Sequence, residues 1–372
     1  MNTVATFNTA KSSAVAPELA ALAERVRQSA AARVPLVIRA GGSKDFYGNA
    51  TRGEFLDPRA YRGIVDYEPT ELVVTARCGT PLAELEAALD AQGQMLAFEP
   101  PHFGTAATVG GCVAAGLSGP RRAATVGGGA VRDFVLGTRL LNARGEVLSF
   151  GGQVMKNVAG YDVSRLLTGS LGTLGVIVEV SLKVMPKPAA EATLRFALDE
   201  AAMLARVNEW GGQPIPISAT AFSSGVLHLR LSGTHAGVAA AQLRLQRTGG
   251  EAIDPAQATR LWRAVREHTE PFFAVNAPLW RLSLPATAEP IALAGEQLIE
   301  WGGALRWLRS PLDANVIRAR AQQLRGHATR FRGEQHDVFA PLAPPLAEIH
   351  RRLKAEFDPD GLFNRGRMYS TF

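Results

Sequence analysis

Glycine is concentrated in one stretch of this chain. Sixteen of its 37 glycines lie between residues 101 and 175, a window that holds about a fifth of the 372 residues. Because glycine has no Cβ, it permits tight turns and lets another backbone or a ligand approach the main chain closely. The window therefore predicts backbone that is pressed against a neighbour, which limits the folds that this chain can adopt.

Two segments resemble cradles for phosphate groups. Residues 39–44 (RAGGSK) follow the apolar strand PLVIR, and residues 108–119 (TVGGCVAAGLSG) are rich in small side chains. Backbone N–H groups in such turns can form an anion site, to which Ser43 and Lys44 would add a hydroxyl and a charge. The first segment lacks the GxGxxG spacing of nicotinamide-binding folds, and the GxxxxGK[ST] pattern is absent too. Taken alone, each segment is better explained as a packed glycine turn.

The length and the order of the patterns predict an α+β protein with more than one domain. Apolar and alternating runs up to Pro186 and Pro188 predict a first domain, residues 1–188. Residues 189–340 carry strand patterns such as ISATAF, VLHLRLSG and ALRWLRS, which predict an antiparallel sheet with helices on one face. The helices are predicted near 199–210, 235–247, 256–268, 289–300 and 313–325. Residues 341–372 predict a helix with a stripe at Leu346, Ile349, Leu353 and Phe357, followed by a tail.

Composition narrows the function classes. The net charge of +6 is mild and gives no indication of nucleic-acid binding. Cys78 and Cys112 lie far apart without a CxxC pair, so the sequence predicts no disulfide framework and no zinc or iron–sulfur site. The N-terminus lacks a signal-peptide core, and Glu179 and Lys183 interrupt the run LGVIVEVSLKVM. A cytoplasmic protein is expected, with peripheral association to the inner face of the plasma membrane left open.

The motifs in their order resemble a known family. RAGGSKDFYG, TVGGCVAAGLSG, VRDFVLG, KNVAGYD and LTGSLGTLGVIVEVSLKVMPKP are similar to the FAD-binding domain of the vanillyl-alcohol oxidase and p-cresol methylhydroxylase superfamily. The ending FDPDGLFNRGRMY resembles its branch that oxidises 2-hydroxy acids. Within that branch, FEPPHFGTAATVGGCVAAGLSGPRR and VMKNVAGYDVSRLLTGSLGTLG are most similar to the E-type FAD-binding subunits of bacterial glycolate oxidases.

The resemblance implies a two-part FAD-binding domain, a ferredoxin-like cap and non-covalent FAD. Residues of KNVAGYD would pass near the flavin ring. By the same resemblance, the residues along the FAD pyrophosphate and ribityl chain are Arg39, Ala40, Gly41, Gly42, Ser43, Lys44, Thr108, Gly110, Gly111, Gly116, Ser118 and Gly119. Those against the adenine and ribose are Gly169, Gly172, Gly175, Val176 and Ile177.

Catalytic residues are harder to predict. Oxidation of a 2-hydroxy acid needs a cation for the carboxylate and a base for the hydroxyl proton, for which Arg and His are suited. Relatives that perform the reaction carry an HxGDGNxH segment and a Glu-His pair that bind a metal, and this chain lacks both. It offers a lone His228, interpreted as structural, and Glu334 and His336 separated by Gln335. His336, Glu334 and Arg332 are therefore the catalytic candidates, and no metal site is predicted.

The predicted function is that of an FAD-binding subunit in a glycolate-oxidising complex. By resemblance, hydride would pass from a small 2-hydroxy acid to flavin, and electrons onward to an iron–sulfur subunit. A sister FAD subunit would carry the histidine-rich site, so this chain would contribute electron transfer or assembly. Two alternatives stay open: a self-sufficient flavin dehydrogenase for an acid such as D-lactate, and a non-catalytic assembly subunit that keeps the fold.

Overall fold

The computed structural model of the protein describes residues 16–124, 129–152, 162–274 and 277–371. The α-helices are α1 Pro17–Ala32, α2 Leu82–Asp90, α3 Val109–Ala115, α4 Val131–Phe134, α5 Val163–Leu167, α6 Glu200–Gly211, α7 His235–Gln246, α8 Pro255–Glu267, α9 Ala314–Gln323 and α10 Pro344–Phe357. Short 3₁₀ helices cover Pro120–Ala124, Pro271–Phe273 and Trp301–Gly303.

The strands alternate with these helices along the chain. They are β1 Leu36–Ile38, β2 Glu54–Leu56, β3 Ile64–Glu68, β4 Val73–Arg77, β5 Gln94–Met95, β6 Val135–Leu141, β7 Val147–Gly151, β8 Val176–Lys183, β9 Met185–Pro186, β10 Ala190–Ala197, β11 Ile217–Ser223, β12 Val226–Gly233, β13 Glu251–Ala252, β14 Leu279–Ser283, β15 Glu296–Glu300, β16 Leu305–Arg309 and β17 His327–Arg332. The mixture of helix and antiparallel sheet confirms the predicted α+β class.

A five-stranded antiparallel sheet forms the centre of the N-terminal part, residues 16–188. Its order is β3-β4-β8-β6-β7, and β8 lies in the middle. On one side Ile177 packs with the core beneath α2 and α3, and on the other Val176 and Val178 pack with Leu19 of α1. Because both faces of β8 are covered, its sequence is a nearly continuous apolar run. The predicted buried strand is confirmed.

An eight-stranded antiparallel sheet forms the cap, which we define as residues 189–340. Its order is β13-β10-β12-β11-β15-β16-β14-β17. Helices α6 and α7 pack over Phe222, whereas Trp262 of α8 packs against Ala221. Neighbouring residues of a strand point to opposite faces, so α8 lies on the other face of the sheet. The prediction that all helices share one face is wrong for α8.

The predicted helix at 289–300 is also wrong. Residues 296–300 form β15, which pairs with β11 and β16 in the middle of the cap sheet. The φ of Gly295 is +137°, and a Cβ there would lie 2.4 Å from the Arg309 carbonyl oxygen. This close approach requires glycine and brings the chain beside β16 in an extended form.

The C-terminal segment returns to the N-terminal part. Helix α10 leaves Leu346 and Ile349 exposed, at 45% and 53%, so the predicted stripe is not a buried face. Instead Lys354 is buried, and its Nζ donates to the carbonyl oxygens of Thr173 and Phe363 at 2.7 and 2.9 Å and to the Asp358 carboxylate at 2.6 Å. This buried ammonium ties the end of α10 to the loop before β8.

Candidate functional site

The two predicted cradles face each other across a slot of about 420 Å³. Strand β1 delivers residues 39–44 to one side of the slot, and helix α3 with its N-cap Thr108 forms the other side. The predicted residues that line the slot are Arg39, Ala40, Gly41, Gly42, Ser43, Lys44, Thr108 and Gly111. Two stretches that lie more than sixty residues apart in sequence therefore form one concave site.

Some of the glycines serve contacts within the protein. A Cβ on Gly41 would lie 1.5 Å from the Ala106 carbonyl oxygen, and one on Gly110 would lie 2.6 Å from the Cys78 Cβ. Gly42 has a φ of +68°, which few other residues adopt. Gly41 thus brings the first stretch against residue 106, just before the second stretch, and Gly111 at the surface of the slot leaves space for a ligand.

The other predicted FAD residues lie outside the lining of the slot. Gly116 ends α3 against Gly169, and Gly172 contacts the Asn364 side chain, which itself reaches the slot. Ser118 and Gly119 border a second, smaller cavity against the cap. Residues 175–177 pack into the core against Leu140 and Leu141, and 156–161 of KNVAGYD lie outside the described residues. Their roles toward FAD stay predictions.

Positive charge surrounds the slot. Arg39, Lys44 and Arg367 line it, and Arg39 pairs with Asp45. Burial lowers the pKa of Lys44, whose Nζ donates to the His102 carbonyl oxygen at 3.2 Å. These three cations and the surrounding N–H groups suit a ligand with two phosphates.

Sequence reasoning missed three residues at this slot. Phe55 is 65% exposed at its edge, and the Arg39 guanidinium lies 5.3 Å from the centroid of its ring. Asn364 accepts a hydrogen bond from the Ile38 N–H at 2.8 Å, and donates to the Leu171 carbonyl at 2.6 Å. Arg367 donates to the Asp45 carbonyl at 2.9 Å. The motif FNRGR, residues 363–367, could have identified Asn364 and Arg367 from the sequence.

A small cavity of about 20 Å³ lies where the cap meets the N-terminal part. We call it the Glu300 chamber. Its polar lining residues are Ser118, Arg266, His268, Arg281, Glu300 and Trp307. Strands β14, β15 and β16 bring Arg281, Glu300 and Trp307 together from separate parts of the sequence, and sequence analysis identified none of these three as a site residue.

Two titratable groups of the chamber, Glu300 and His268, have shifted pKa values. Burial raises the pKa of Glu300 to about 7, although Trp307 Nε1 donates to its Oε1 at 2.7 Å and Arg281 lies nearby. Burial, together with the charges of Arg332 and Arg281, lowers the pKa of His268 well below its usual value. The His268 ring stacks on Phe273 with centroids 3.9 Å apart.

The catalytic candidates occupy two different environments. The Arg332 guanidinium lies 3.9 Å from the ring centroid of Phe46 and 5.4 Å from that of Phe103, and burial lowers its pKa. His336 Nε2 lies 3.2 Å from Glu334 Oε2, but both side chains are about two-thirds exposed, and Glu334 also pairs with Arg330. The structure thus places Arg332 beside the chamber and the other two on the surface.

Arg281 and Arg332 are available for an anion. Among the residues that the structure describes, neither has an Asp or Glu oxygen within 4.0 Å of its guanidinium.

His228 lies away from both sites, in a cap cavity of about 760 Å³ between the sheet and α8, where burial lowers its pKa. Over the described ranges, no group of three His, Cys, Asp or Glu side chains could hold a metal, and no helix is long and apolar enough to cross a bilayer.

This fold and slot define a class of flavoproteins. Residues 14–151 match the family model of an FAD binding domain. The fold is similar to that of p-cresol methylhydroxylase with substrate bound, with a TM-score of 0.69 and 13% identity over 95% of this chain and 88% of that one. Alkyldihydroxyacetonephosphate synthase gives a TM-score of 0.65 at 14% identity over 92% of this chain and 74% of that one. The protein is an FAD-dependent oxidoreductase of this fold, as predicted.

Curated relatives narrow the class to one family. The chain is 50% identical to glycolate oxidase subunit GlcE of Escherichia coli (strain K12) over 350 residues, which cover 94% of this chain and 97% of that protein. It is 32% identical to glycolate oxidase subunit GlcD of Bacillus subtilis (strain 168), over 44% of this chain and 34% of that one. The protein belongs to the glycolate oxidase subunit GlcE family.

Proposed function

We propose that this protein is the FAD-binding subunit of a glycolate-oxidising complex and holds the FAD diphosphate in the slot between residues 39–44 and α3. The observation that carries the proposal is the convergence of these two stretches on one concave, positively charged surface. Glycine at position 111 leaves room for a ligand, and Arg39, Lys44 and Arg367 balance its charge. The residues present therefore fit the cofactor that the family implies.

Bound flavin would supply a two-electron acceptor for the hydride of a 2-hydroxy acid. The chain's own contribution on the cap side is a pair of cations, Arg281 and Arg332, that have no carboxylate partner among the described residues. A guanidinium binds a carboxylate with two parallel hydrogen bonds, and both of these residues are half-buried. We assign these two residues to the substrate carboxylate, and keep the exposed His336 and Glu334 as secondary candidates.

The partners follow from the same family. We propose a sister FAD subunit of the GlcD type and an iron–sulfur subunit as electron acceptor, because the only two cysteines of this chain are buried and lie far apart in sequence. Contact with the inner face of the plasma membrane would come through the complex. The division into residues 1–188, 189–340 and 341–372 is proposed with it, and the contacts of α10 with the N-terminal part support the last boundary.

The slot is tested with Gly111→Leu. Gly111 lines the slot, and among the described residues Thr108 Oγ1, at 3.2 Å, is the nearest atom to a Cβ there, so that this hydroxyl would have to move by a few tenths of an ångström. The variant is expected to bind FAD at least ~10-fold more weakly while unfolding like the parent. Gly211→Leu is the matched control, because nothing lies within 4 Å of a Cβ there. FAD binding by Gly111→Leu with parental affinity would refute the assignment of the slot.

The reaction is tested by anaerobic addition of glycolate to the FAD-loaded chain, alone and with its partner subunits. Loss of the flavin absorbance in the isolated chain would show that this subunit oxidises substrate itself. Bleaching only in the complex would assign substrate oxidation to the assembled enzyme. If neither preparation is reduced by glycolate or by D-lactate, the alternative of a non-catalytic assembly subunit is favoured.

A further inference from the structure

The Glu300 chamber contains polar atoms that lack hydrogen-bond partners. Ser118 Oγ and His268 Nδ1 are buried, and neither has a partner among the residues that the structure describes. Buried polar atoms are almost always hydrogen-bonded, and a cavity of ~10–15 Å³ accommodates one water molecule. The chamber of about 20 Å³, which Ser118, His268 and Glu300 all line, has the size and the polarity for one bound water.

The order of proton affinities in this chamber is the reverse of that in water. Burial raises the pKa of Glu300 from 4.5 to about 7 and lowers that of His268 well below 6.5. At neutral pH the imidazole is therefore neutral, and a proton that enters the chamber is held by the carboxylate. A group with a pKa near the working pH is the most effective acceptor and donor of protons.

The charged and titratable groups around this pair come from several elements. Arg281 of β14 and the Trp307 indole of β16 lower the pKa of Glu300, and Glu99 of the N-terminal part raises it. Arg332 and Arg281 act on His268, and Arg266 of α8 also lines the cavity. Burial is the largest cause for both groups, so removal of one neighbouring charge would change these affinities without restoring the order found in water.

The chamber lies next to the cation assigned to the substrate carboxylate. Phe103 and Phe331 line the chamber, and the Arg332 guanidinium lies 5.4 and 6.0 Å from the centroids of their rings. The His268 and Phe103 ring centroids are 4.9 Å apart. The Arg332 guanidinium thus lies against two aromatic rings that line the chamber, and Arg281, the other cation assigned to the substrate carboxylate, lines the chamber directly.

We propose that the Glu300 chamber is the proton-accepting site of the oxidation, with Glu300 as the acceptor and a water held by Ser118 and His268 as the relay. This inference rests on the proposed function. The hydroxyl O–H bond of the acid breaks and its proton passes through the water to a carboxylate oxygen of Glu300. Bound FAD would accept the hydride of the carbon that bears the hydroxyl, with both electrons of its C–H bond, so that a keto or aldehyde acid would form. Glu300 would then return its proton to solvent.

The titration of Glu300 is tested in the ¹⁵N-labelled, FAD-loaded full chain. Because Trp307 Nε1 donates to Glu300, its indole N–H resonance reports the charge of that carboxylate; Trp307→Phe assigns the signal. We expect the resonance to shift in one step with a midpoint near pH 7, and to stay constant in Glu300→Gln, whose amide oxygen still accepts the hydrogen bond. Glu296→Gln, an exposed change on the same strand, should keep the step. A constant Trp307 resonance in the parent from about pH 5 to about pH 9 would overturn the proposal.

Flavin reduction by glycolate in the complex gives the second readout. Glu300→Gln is expected to slow the limiting rate of reduction by ~10²-fold or more and to remove the pH dependence near 7, while the dissociation constant of FAD stays at the parental value. Parental rates in Glu300→Gln would refute the role as acceptor. If the parent itself is not reduced while the Trp307 titration is present, the proposed function has failed and the property of the chamber stands.

Discussion

Glu99 and Glu300 both lie where the cap meets the N-terminal part, Glu99 mostly buried and Glu300 fully buried, yet their affinities for protons differ. Burial alone would raise the pKa of Glu99, but Arg230 and Arg121 hold it below its usual value. Glu300 receives one indole hydrogen bond and the more distant charge of Arg281, and burial raises its pKa to about 7. A carboxyl group at this boundary is thus a permanent anion when arginines contact it, as at Glu99 with 17% of its side chain exposed, and a titrating acid when they do not, as at the more deeply buried Glu300.

The two carboxylates therefore have different roles. Glu99 accepts two hydrogen bonds from Arg230 of the cap at 2.8 and 3.0 Å, and Arg121 of the N-terminal part donates its backbone N–H to Glu99 at 3.0 Å. This ion cluster joins the two parts of the protein and has a fixed charge near neutral pH. The Glu300 carboxyl, close to the same cluster, can gain or lose a proton.

Replacement of an arginine that pairs with Glu99 has the largest expected effect, and it tests whether the arginines stabilise this carboxylate. Arg230→Met leaves a buried carboxylate without its main partner, and we expect it to lower the free energy of unfolding by roughly 3–5 kcal/mol. Urea unfolding of the full chain at about pH 8 measures the loss.

Arg195→Met is the matched control for Arg230→Met. Arg195 lies on the neighbouring strand β10 and pairs with Glu251, but both side chains are more than half exposed. Exposed pairs contribute at most ~1 kcal/mol. An equal loss in the two variants would show that the Glu99 cluster has no special stabilising role.

Glu300→Gln tests the second half of the comparison. Because the folded pKa of about 7 exceeds the ordinary 4.5, the folded protein binds more protons than the unfolded chain between these values, and stability falls as the pH rises through this window. The glutamine variant lacks this loss. At about pH 8 we expect the free energy of unfolding of Glu300→Gln to exceed that of the parent by roughly 3 kcal/mol, from ~1.4 kcal/mol per pKa unit. This difference should disappear at about pH 4.

The measurement is urea unfolding of both proteins over this pH range, with Glu296→Gln as the exposed control on β15. Glu296 is 70% exposed and is expected to change stability by less than ~1 kcal/mol at any pH. A glutamine variant of Glu300 that is less stable than the parent at about pH 8 would mean that the carboxylate is well solvated or paired, and would remove the contrast with Glu99.

Local patterns were sufficient for much of the fold and for the phosphate slot. Strands β8, β11 and β12 follow from their apolar and alternating runs, and the segments 39–44 and 108–119 from their glycines. Residues 289–300 were predicted as one of the helices that alternate with the cap strands, whereas Gly295 and two neighbouring strands impose an extended form. Tertiary pairing overrode a local preference there.

The Glu300 chamber could not be predicted in this way. Its residues come from separate strands, from the end of α8 and from the N-terminal part, and no spacing in the sequence connects them. Glu300 has an unusual pKa because of what surrounds it in three dimensions. His336 and Glu334 were candidates because they lie two residues apart in sequence, and the structure places that pair on the surface.

The variant Arg281→Met has the smallest expected effect, and it tests whether nearby positive charge explains the difference between the pKa values of Glu99 and Glu300. Arg281 acts on Glu300 through its charge, and no hydrogen bond joins them among the described residues. Loss of this positive charge makes the Glu300 carboxylate less stable, so the midpoint of the Trp307 titration should move upward from about 7. Arg309→Met is the control, since Arg309 pairs with Glu296 and is not among the charges that act on Glu300. A downward shift in Arg281→Met would mean that Glu300, unlike Glu99, owes its pKa to something other than the scarcity of nearby positive charge.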